Sequence, residues 1–173
     1  MITLRCTKKL RKYLGIVPID NAQPPTAALG DWYANLIPTC AGDLILFASE
    51  KSLLTVAIPL WESDHLVSLF RIRVANLLWM IGIPPRIISR EVNHLDQIQF
   101  GKTASRSILT SMNDFAWRYQ VMAEESVDED RLSLSKAEYK MTQMPCGAFD
   151  YQFPADVAKE LLGVKGETKA NPP

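Results

Sequence analysis

The sequence has no excess of charge of either sign, because 19 lysine and arginine residues balance 19 aspartate and glutamate residues. A basic excess would attract nucleic acid through the field of the whole protein, so here any such contact has to come from a local patch. The length of 173 residues, with 47% hydrophobic and 22% charged residues, is typical of one globular domain with a substantial core.

Cysteine and histidine are scarce. The three cysteines, Cys6, Cys40 and Cys146, lie far apart and form no CxxC pair, so we expect free thiols in a reducing compartment. His65 and His94 are the two histidines, which argues against a histidine-rich metal site. The sequence therefore predicts neither a metal nor a cofactor.

Long apolar runs are also missing. The N-terminal residues MITLRCTKKLRKYLG do not contain the apolar segment of about 7–15 residues that a signal peptide needs. The most apolar helical pattern, residues 66–81, is interrupted by Arg71 and Arg73, among other polar residues, and does not fit a membrane span. We therefore expect a cytoplasmic protein with no membrane partner.

The longest periodic stretch is residues 101–125, GKTASRSILTSMNDFAWRYQVMAEE, which predicts an amphipathic helix over residues 104–123. Its apolar face consists of Ile108, Leu109, Met112, Phe115, Ala116, Tyr119 and Met122. Thr103 or Ser105 can cap the start of the helix, and Asp114 and Arg118 have the spacing of a favourable ion pair.

Two polar stripes accompany this apolar face. The first stripe consists of Lys102, Arg106, Thr110, Asn113 and Trp117, and the second consists of Ser107, Ser111, Asp114 and Arg118. Serine, threonine and asparagine are poor helix formers because they compete for backbone hydrogen bonds. A helix that only supported the fold would carry alanine, glutamate and lysine there, so we expect partners for these side chains. The partners are either a ligand or neighbouring loops of the same domain.

The residues Gly101, Lys102 and Thr103 have the order that ends a phosphate-binding P-loop. That motif requires glycine at position 96, where this chain has Asp96, and the alternation in residues 97–100 favours a short strand instead. A simpler anion site is still an interpretation, because a helix start beside Lys102 and Arg106 attracts negative charge.

The remaining chain predicts an α+β domain over residues 1–163, followed by a disordered tail over residues 164–173. Strands are predicted over residues 2–6, 32–37, 44–49 and 53–60, and short connections between the last three indicate an antiparallel meander. We expect an antiparallel sheet of about four or five strands, with helices 64–81 and 104–123 together on one face. Further helices are predicted over residues 8–14, 86–95 and 154–162, and within residues 132–144. Residues 16–30 are predicted to be a loop, and residues 124–130 a flexible acidic linker.

Two segments, Gly30 to Leu36 (GDWYANL) and Gly101 to Phe115 (GKTxxRSxLxSMNDF), are long and specific. In these segments the chain resembles a bacterial family of small soluble proteins that is defined only as a domain of unknown function. The resemblance runs from residue 1 to about residue 123, and more weakly from Met144 to Gly163. It implies a shared fold and a shared surface, with no activity attached. Thr110 replaces a glycine that is common in related proteins, so this stripe is bulkier here.

Three interpretations of function follow, and whether the protein is an enzyme stays open among them. The first is a binding or regulatory module whose polar helix surface contacts an anion, such as a phosphate-bearing ligand or nucleic acid. The predicted binding residues are Asp31, Lys102, Thr103, Arg106, Thr110, Asn113, Asp114 and Trp117. The second is a phosphate-directed hydrolase or nuclease, and the third is an interaction protein that docks a protein partner.

The hydrolase interpretation depends on two carboxylates. Asp31 and Asp114 would meet in space to bind a divalent cation, and Lys102 or Arg106 would stabilise the developing charge. The alternative is that Asp31 and Asp114 accept backbone hydrogen bonds at turns and helix ends. Asp31 directly follows Gly30, which favours that alternative.

Overall fold

A computed structural model describes residues 1–125, 133–147 and 152–164, and the described chain forms three layers with one sheet between two layers of helices. The strands are β1 (Ile2–Cys6), β2 (Trp32–Ile37), β3 (Leu44–Ser49), β4 (Thr55–Pro59) and β5 (Ile98–Lys102). Their order across the sheet is β4-β3-β2-β1-β5.

The sheet is mixed, which corrects the prediction of a purely antiparallel one. Strands β2, β3 and β4 form the predicted meander, with Ala34 opposite Phe47 and Phe47 opposite Val56. Strand β1, however, runs parallel to both of its neighbours, and Leu4 pairs with Trp32 on one side and Phe100 on the other. Neighbouring parallel strands need a long connection, because the chain has to cross back to the end of the sheet at which the first strand began. A tight hairpin cannot make that crossing. Hydrophobic alternation predicted the strands but contains no information on their distant partners.

The helices are α1 (Lys8–Leu14), α2 (Leu66–Met80), α3 (Pro85–Asn93), α4 (Arg106–Glu125), α5 (Leu134–Thr142) and α6 (Pro154–Leu161). A 3-10 turn, Leu60–His65, leads into α2, and a second one, His94–Asp96, follows α3. The sequence predicted each of the six described helices to within a few residues. Gly15, for example, ends α1 in a left-handed conformation with φ of 65°, as expected of a C-terminal glycine.

The two helix layers cover opposite faces of the sheet. Ile45 and Phe47 of β3 belong to the core under α1, α2, α3 and α6, whereas Leu44 and Leu46 belong to the core under α4 and α5. The prediction that helices 64–81 and 104–123 share one face is therefore wrong. All six residues of β3 are buried, and a strand that is buried on both faces needs a helix layer on each side.

A side chain of α5 forms a hydrogen bond with the backbone of the edge strand β4. One carboxylate oxygen of Glu138 accepts hydrogen bonds from the backbone N–H of Ala57 and from Nε of Arg73 on α2, both at 2.8 Å. Glu138 is 2% exposed, and burial raises its pKa to about 7, although the Arg73 guanidinium opposes that rise. A second buried carboxylate, Glu91 of α3, accepts from the backbone N–H groups of Ala28 and Leu29 and so fixes the loop before β2.

Two predicted flexible segments fall partly outside the described residues. Glu124 and Glu125 complete α4, while residues 126–130 of the predicted acidic linker lie outside the description. Val164 packs against the core, and residues 165–173 of the predicted tail lie outside it as well. Among the described helices, none combines the length and the apolar character that crossing a membrane requires.

Candidate functional site

Two helices diverge from the carboxyl ends of the neighbouring parallel strands β1 and β5. From β1 the chain enters α1 on one face of the sheet, and from the adjacent β5 it enters α4 on the other face. In sheets of this kind, such a divergence between neighbouring parallel strands is where ligands commonly bind. Lys102 ends β5 at this edge, and Thr103 begins the connection to α4.

The start of α4 is fixed by Ser105. Its hydroxyl accepts from the backbone N–H of Ile108 at 3.3 Å, and its own backbone N–H donates to the Tyr33 hydroxyl at 3.1 Å. Ser105 is therefore the cap, rather than Thr103. Burial raises the pKa of Tyr33, with Glu50 nearby adding to the rise, so the phenol stays protonated and holds α4 against β2.

The first polar stripe is exposed along α4. Arg106 and Asn113 face solvent, and 64% of Trp117 is accessible. Thr110 donates its hydroxyl proton to the carbonyl of Arg106 in its own helix, at 3.0 Å. Lys102 forms an exposed ion pair with Asp20, with 2.9 Å between Nζ and the carboxylate oxygen.

The second polar stripe lines a groove of about 380 Å³ between α4 and the segment that follows α5. The groove is lined by Ser107, Thr110, Ser111, Asp114, Phe115, Arg118, Pro145, Cys146 and Gly147. We call this surface the α4 groove. Its helix side carries three hydroxyls, then one carboxylate and one guanidinium, and its opposite wall comes from residues 145–147.

Arg118 and Asp114 do not form the ion pair that their spacing suggested. The guanidinium of Arg118 donates instead to the sulfur of Met144 at 2.8 Å, and within the described part of the chain no ion pair involves either residue. A thioether is a weak acceptor, whereas a guanidinium carries five strong donors. Within the described residues, the groove therefore contains a guanidinium and a carboxylate that do not pair with each other. Both groups keep hydrogen-bonding capacity for a ligand.

Cys146 belongs to the wall of the α4 groove and is 7% exposed. Burial raises the pKa of its thiol, Arg118 lowers that pKa and Asp114 raises it. A thiol whose pKa is raised stays protonated at neutral pH and is a poor nucleophile. Cys146 is therefore a packing residue beside the two charged groups.

Two of the three hydroxyls that α4 contributes to the groove have partners within the helix. Ser111 donates to the carbonyl of Ser107 at 3.3 Å, as Thr110 does to Arg106. Their protons are committed to the helix, but their oxygen lone pairs still face the groove as acceptors. The partners of these two hydroxyls are therefore carbonyls of α4 itself, and neither belongs to a neighbouring loop.

Asp31 has a structural environment of its own. It is 1% exposed, and one carboxylate oxygen accepts from the backbone N–H of Thr3 at 2.8 Å. The other accepts from Nε of Arg5 at 2.9 Å and lies 2.8 Å from a terminal guanidinium nitrogen of Arg5. Asp31 does not line the α4 groove with Asp114, and both of its oxygens are occupied. In the described residues no three His, Cys, Asp or Glu side chains cluster as metal ligands.

The structure thus divides the predicted site residues. Thr110 and Asp114 line the groove, Arg106, Asn113 and Trp117 flank it on the same helix, and Lys102 and Thr103 lie at its strand end. The residues that sequence reasoning did not include in the site are Ser107, Ser111, Arg118 and the wall at residues 145–147. The helical spacing already places the first three with Asp114, but no pattern in the sequence places the wall, because it packs against α4 only in the fold.

A comparison with protein families finds one match over most of the chain. A family model described as "Domain of unknown function (DUF6933)" matches residues 3–157. Neither a curated protein nor a solved structure matches the chain.

Proposed function

The chain belongs to the family described as domain of unknown function DUF6933, and from the geometry of its own α4 surface we propose that it is a binding module for a phosphate-bearing ligand of the nucleotide type. The observation that carries this proposal is the position of Arg118. Its guanidinium lines an open groove and its recorded acceptor there is a thioether, not a carboxylate. Arginine holds phosphate through paired charge-assisted hydrogen bonds, which a thioether cannot match.

The neighbouring groups suit the rest of a nucleotide. Asp114 offers a carboxylate that can accept from the amino and imino groups of a base. Trp117, one turn away from both Asn113 and Asp114, exposes a ring on which a base can stack. Asn113 adds an amide with both donor and acceptor atoms. A purely anionic ligand would leave the Asp114 carboxylate opposed by like charge, so a ligand that also carries hydrogen-bond donors fits better.

The spacing of the cations favours a ligand with more than one phosphate. Arg106 and Arg118 are twelve residues apart on α4, which corresponds to about 18 Å along the helix axis. A single phosphate cannot contact both, whereas a short single strand of nucleic acid can. Lys102 is already paired with Asp20, so it contributes less than the two arginines.

The hydrolase alternative has less support than the binding module. Its proposed metal site needs Asp31 beside Asp114, but the carboxylate oxygens of Asp31 are bound by Thr3 and Arg5. Among the described residues that line the groove, Asp114 contributes one carboxylate, and the raised pKa of the Cys146 thiol keeps it protonated at neutral pH. The groove therefore supports recognition of a phosphate-bearing ligand better than its cleavage.

The proposal is tested by fluorescence anisotropy with a labelled single-stranded oligonucleotide at low salt. Arg118→Gln should weaken binding about tenfold or more, because a hydrogen bond to a charged group contributes roughly 1.5–3 kcal/mol. Trp117→Ala should weaken binding to a similar degree, since base stacking on an aromatic ring contributes about 1–3 kcal/mol. Lys9→Gln, which removes an exposed charge from α1 on the other face, is the matched control and should bind as the wild type does.

Salt and competition distinguish the ligand class. The affinity for the oligonucleotide should fall steeply with salt, as expected when phosphates displace counterions. If ATP competes as well as the oligonucleotide does, the ligand is a free nucleotide, and if inorganic phosphate competes equally, the base contacts are not used. No binding at low salt, or equal binding by the wild type, Arg118→Gln and Lys9→Gln, would contradict the proposal.

A further inference from the structure

The solvent face of α2 carries large apolar side chains on the opposite side of the molecule from the α4 groove. Ile72 is 55% exposed and Trp79 is 69% exposed, and the half-buried Ala75 lies between them. With Ser68, these residues are spaced by four, three and four positions, so they form one line along the helix. We call this line the α2 stripe.

The α2 stripe is unusual for a helix at the surface. The inner face of α2 is buried through Phe70, Val74 and Leu77, and Ala75 packs at the edge of the same core, whereas Ile72 and Trp79 are mostly exposed. A surface helix ordinarily presents charged and polar residues to water. The four-three-four spacing is that of the a and d positions at which paired helices meet.

Charged residues are distributed asymmetrically around the stripe. Glu62 and Asp64 precede α2 in the 3-10 turn, and Arg86 and Arg90 follow it on α3. All four are exposed, and none takes part in an ion pair within the described residues. One end of the stripe is therefore acidic and the other end is basic.

We propose that the α2 stripe is an interface with a second copy of this chain, in which two α2 helices pack antiparallel about a two-fold axis. In that arrangement Ile72 of each copy packs against Trp79 of the other, and the axis passes near Ala75. A two-fold interface requires a surface that complements itself, which a line of large, small and large residues provides. The small Ala75 at the crossing point allows the helices to approach to about 8–10 Å.

Charge complementarity fixes the antiparallel orientation. Turning one copy over brings the acidic end of its stripe, Glu62 and Asp64, towards the basic end of the other, Arg86 and Arg90. A parallel pair would place acid against acid and base against base. The α2 helix is about 22 Å long, so the interface is at the small end of specific interfaces and the dimer should form in the micromolar range.

Sedimentation velocity over a series of protein concentrations tests the interface on the full chain. The wild type should shift from monomer to dimer as its concentration rises. Trp79→Ala should weaken dimerisation about tenfold or more, because a tryptophan that becomes buried in a small interface carries much of its binding energy. Trp117→Ala, which removes a similarly exposed tryptophan from α4 in the opposite layer, is the matched control and should dimerise normally.

A charge exchange tests the orientation and does not depend on the core. Asp64→Lys and Arg86→Glu should each weaken the dimer, and the double variant should recover it, because the two residues then attract with exchanged signs. Both residues are exposed, so circular dichroism should be unchanged in all three variants. Failure of the double variant to recover the dimer would overturn the antiparallel arrangement.

Cross-linking tests the position of the axis. In a Cys40→Ser background, which removes the exposed native thiol, Asn76→Cys should cross-link to itself with a short bismaleimide. Asn113→Cys on α4 should not. A wild type that remains a monomer at every concentration, or a Trp79→Ala variant that dimerises as the wild type does, would overturn the proposal. The stripe would then not be an interface between two copies of this chain.

Discussion

The environment of Asp31 shows most clearly whether a predicted site residue has a structural role or a role in the site. It is enclosed, and it joins β1 to the start of β2 through the backbone of Thr3 and the guanidinium of Arg5. Asp31→Ala should lower the free energy of unfolding by about 3–5 kcal/mol, because it leaves the Arg5 guanidinium without its carboxylate. Urea denaturation measures this loss.

The matched control for Asp31→Ala is Asp114→Ala, which removes an exposed carboxylate and should change stability by less than about 0.5 kcal/mol. Equal losses in the two variants would show that Asp114 is also a structural residue and would remove it from the groove's binding groups.

Glu138 makes stability depend on pH. Burial raises its pKa from 4.5 to about 7, so between these values the folded state holds a proton that the unfolded chain has lost. The contribution of Glu138 to stability is therefore largest below about pH 4.5 and decreases as pH rises towards 7, by about 3 kcal/mol in total. Above pH 7 it is constant.

Chemical denaturation of the wild type and of Glu138→Gln across pH 4 to 8 isolates this effect, because glutamine does not titrate. The stability of the wild type relative to the variant should fall as pH rises through this range. The opposite slope would mean that the ion pair with Arg73 outweighs the burial of the carboxylate.

At the scale of an element, α4 combines a structural face with the face that we propose binds the ligand. Phe115 is 3% exposed in the core between α4 and the sheet, whereas Trp117, two residues later, is exposed. Phe115→Ala should cost about 3–5 kcal/mol in the free energy of unfolding, and Trp117→Ala should cost less than about 0.5 kcal/mol. Thermal denaturation of the two variants should therefore differ clearly, and an unchanged melting curve for Phe115→Ala would contradict the assignment of this face.

The elements differ in how far the sequence predicted them. The helices were predictable because their apolar positions repeat with the period of a helix, as Ile108, Met112 and Phe115 do on α4. The pairing of β1 with β2 and β5 was not, because residues far apart in the chain leave no local pattern. The buried positions of Glu91 and Glu138 were not predicted either, because the sequence alone does not distinguish a buried glutamate from an exposed one.

The candidate site was predictable to a similar extent. The helical period places Ser107, Ser111 and Arg118 on the same line as Asp114, so one side of the groove follows from the sequence. The other side does not, because Pro145 to Gly147 reach α4 only through the packing of α5. The proximity of Asp31 to Asp114 was the weakest inference, because it depended on the arrangement of two segments that have no shared pattern.

At the scale of the whole molecule, the two proposed surfaces lie on opposite layers. The α4 groove is on one side of the sheet and the α2 stripe is on the other, with five strands between them in the described chain. Ligand binding and dimerisation should therefore be independent. We expect Trp79→Ala to leave the affinity for an oligonucleotide unchanged per protomer, as measured by anisotropy. A change of tenfold would indicate that the two surfaces are coupled through the sheet.

The central proposal is that α4 carries the ligand surface of a protein whose charges otherwise balance. The most direct test is a titration of the isotope-labelled protein with a short single-stranded oligonucleotide, followed residue by residue through backbone amide chemical shifts. We expect the shifts to concentrate at residues 105–118 and 144–147 and to spare α2 and α3. Shifts spread evenly over the surface, or confined to the basic helix α1, would contradict it.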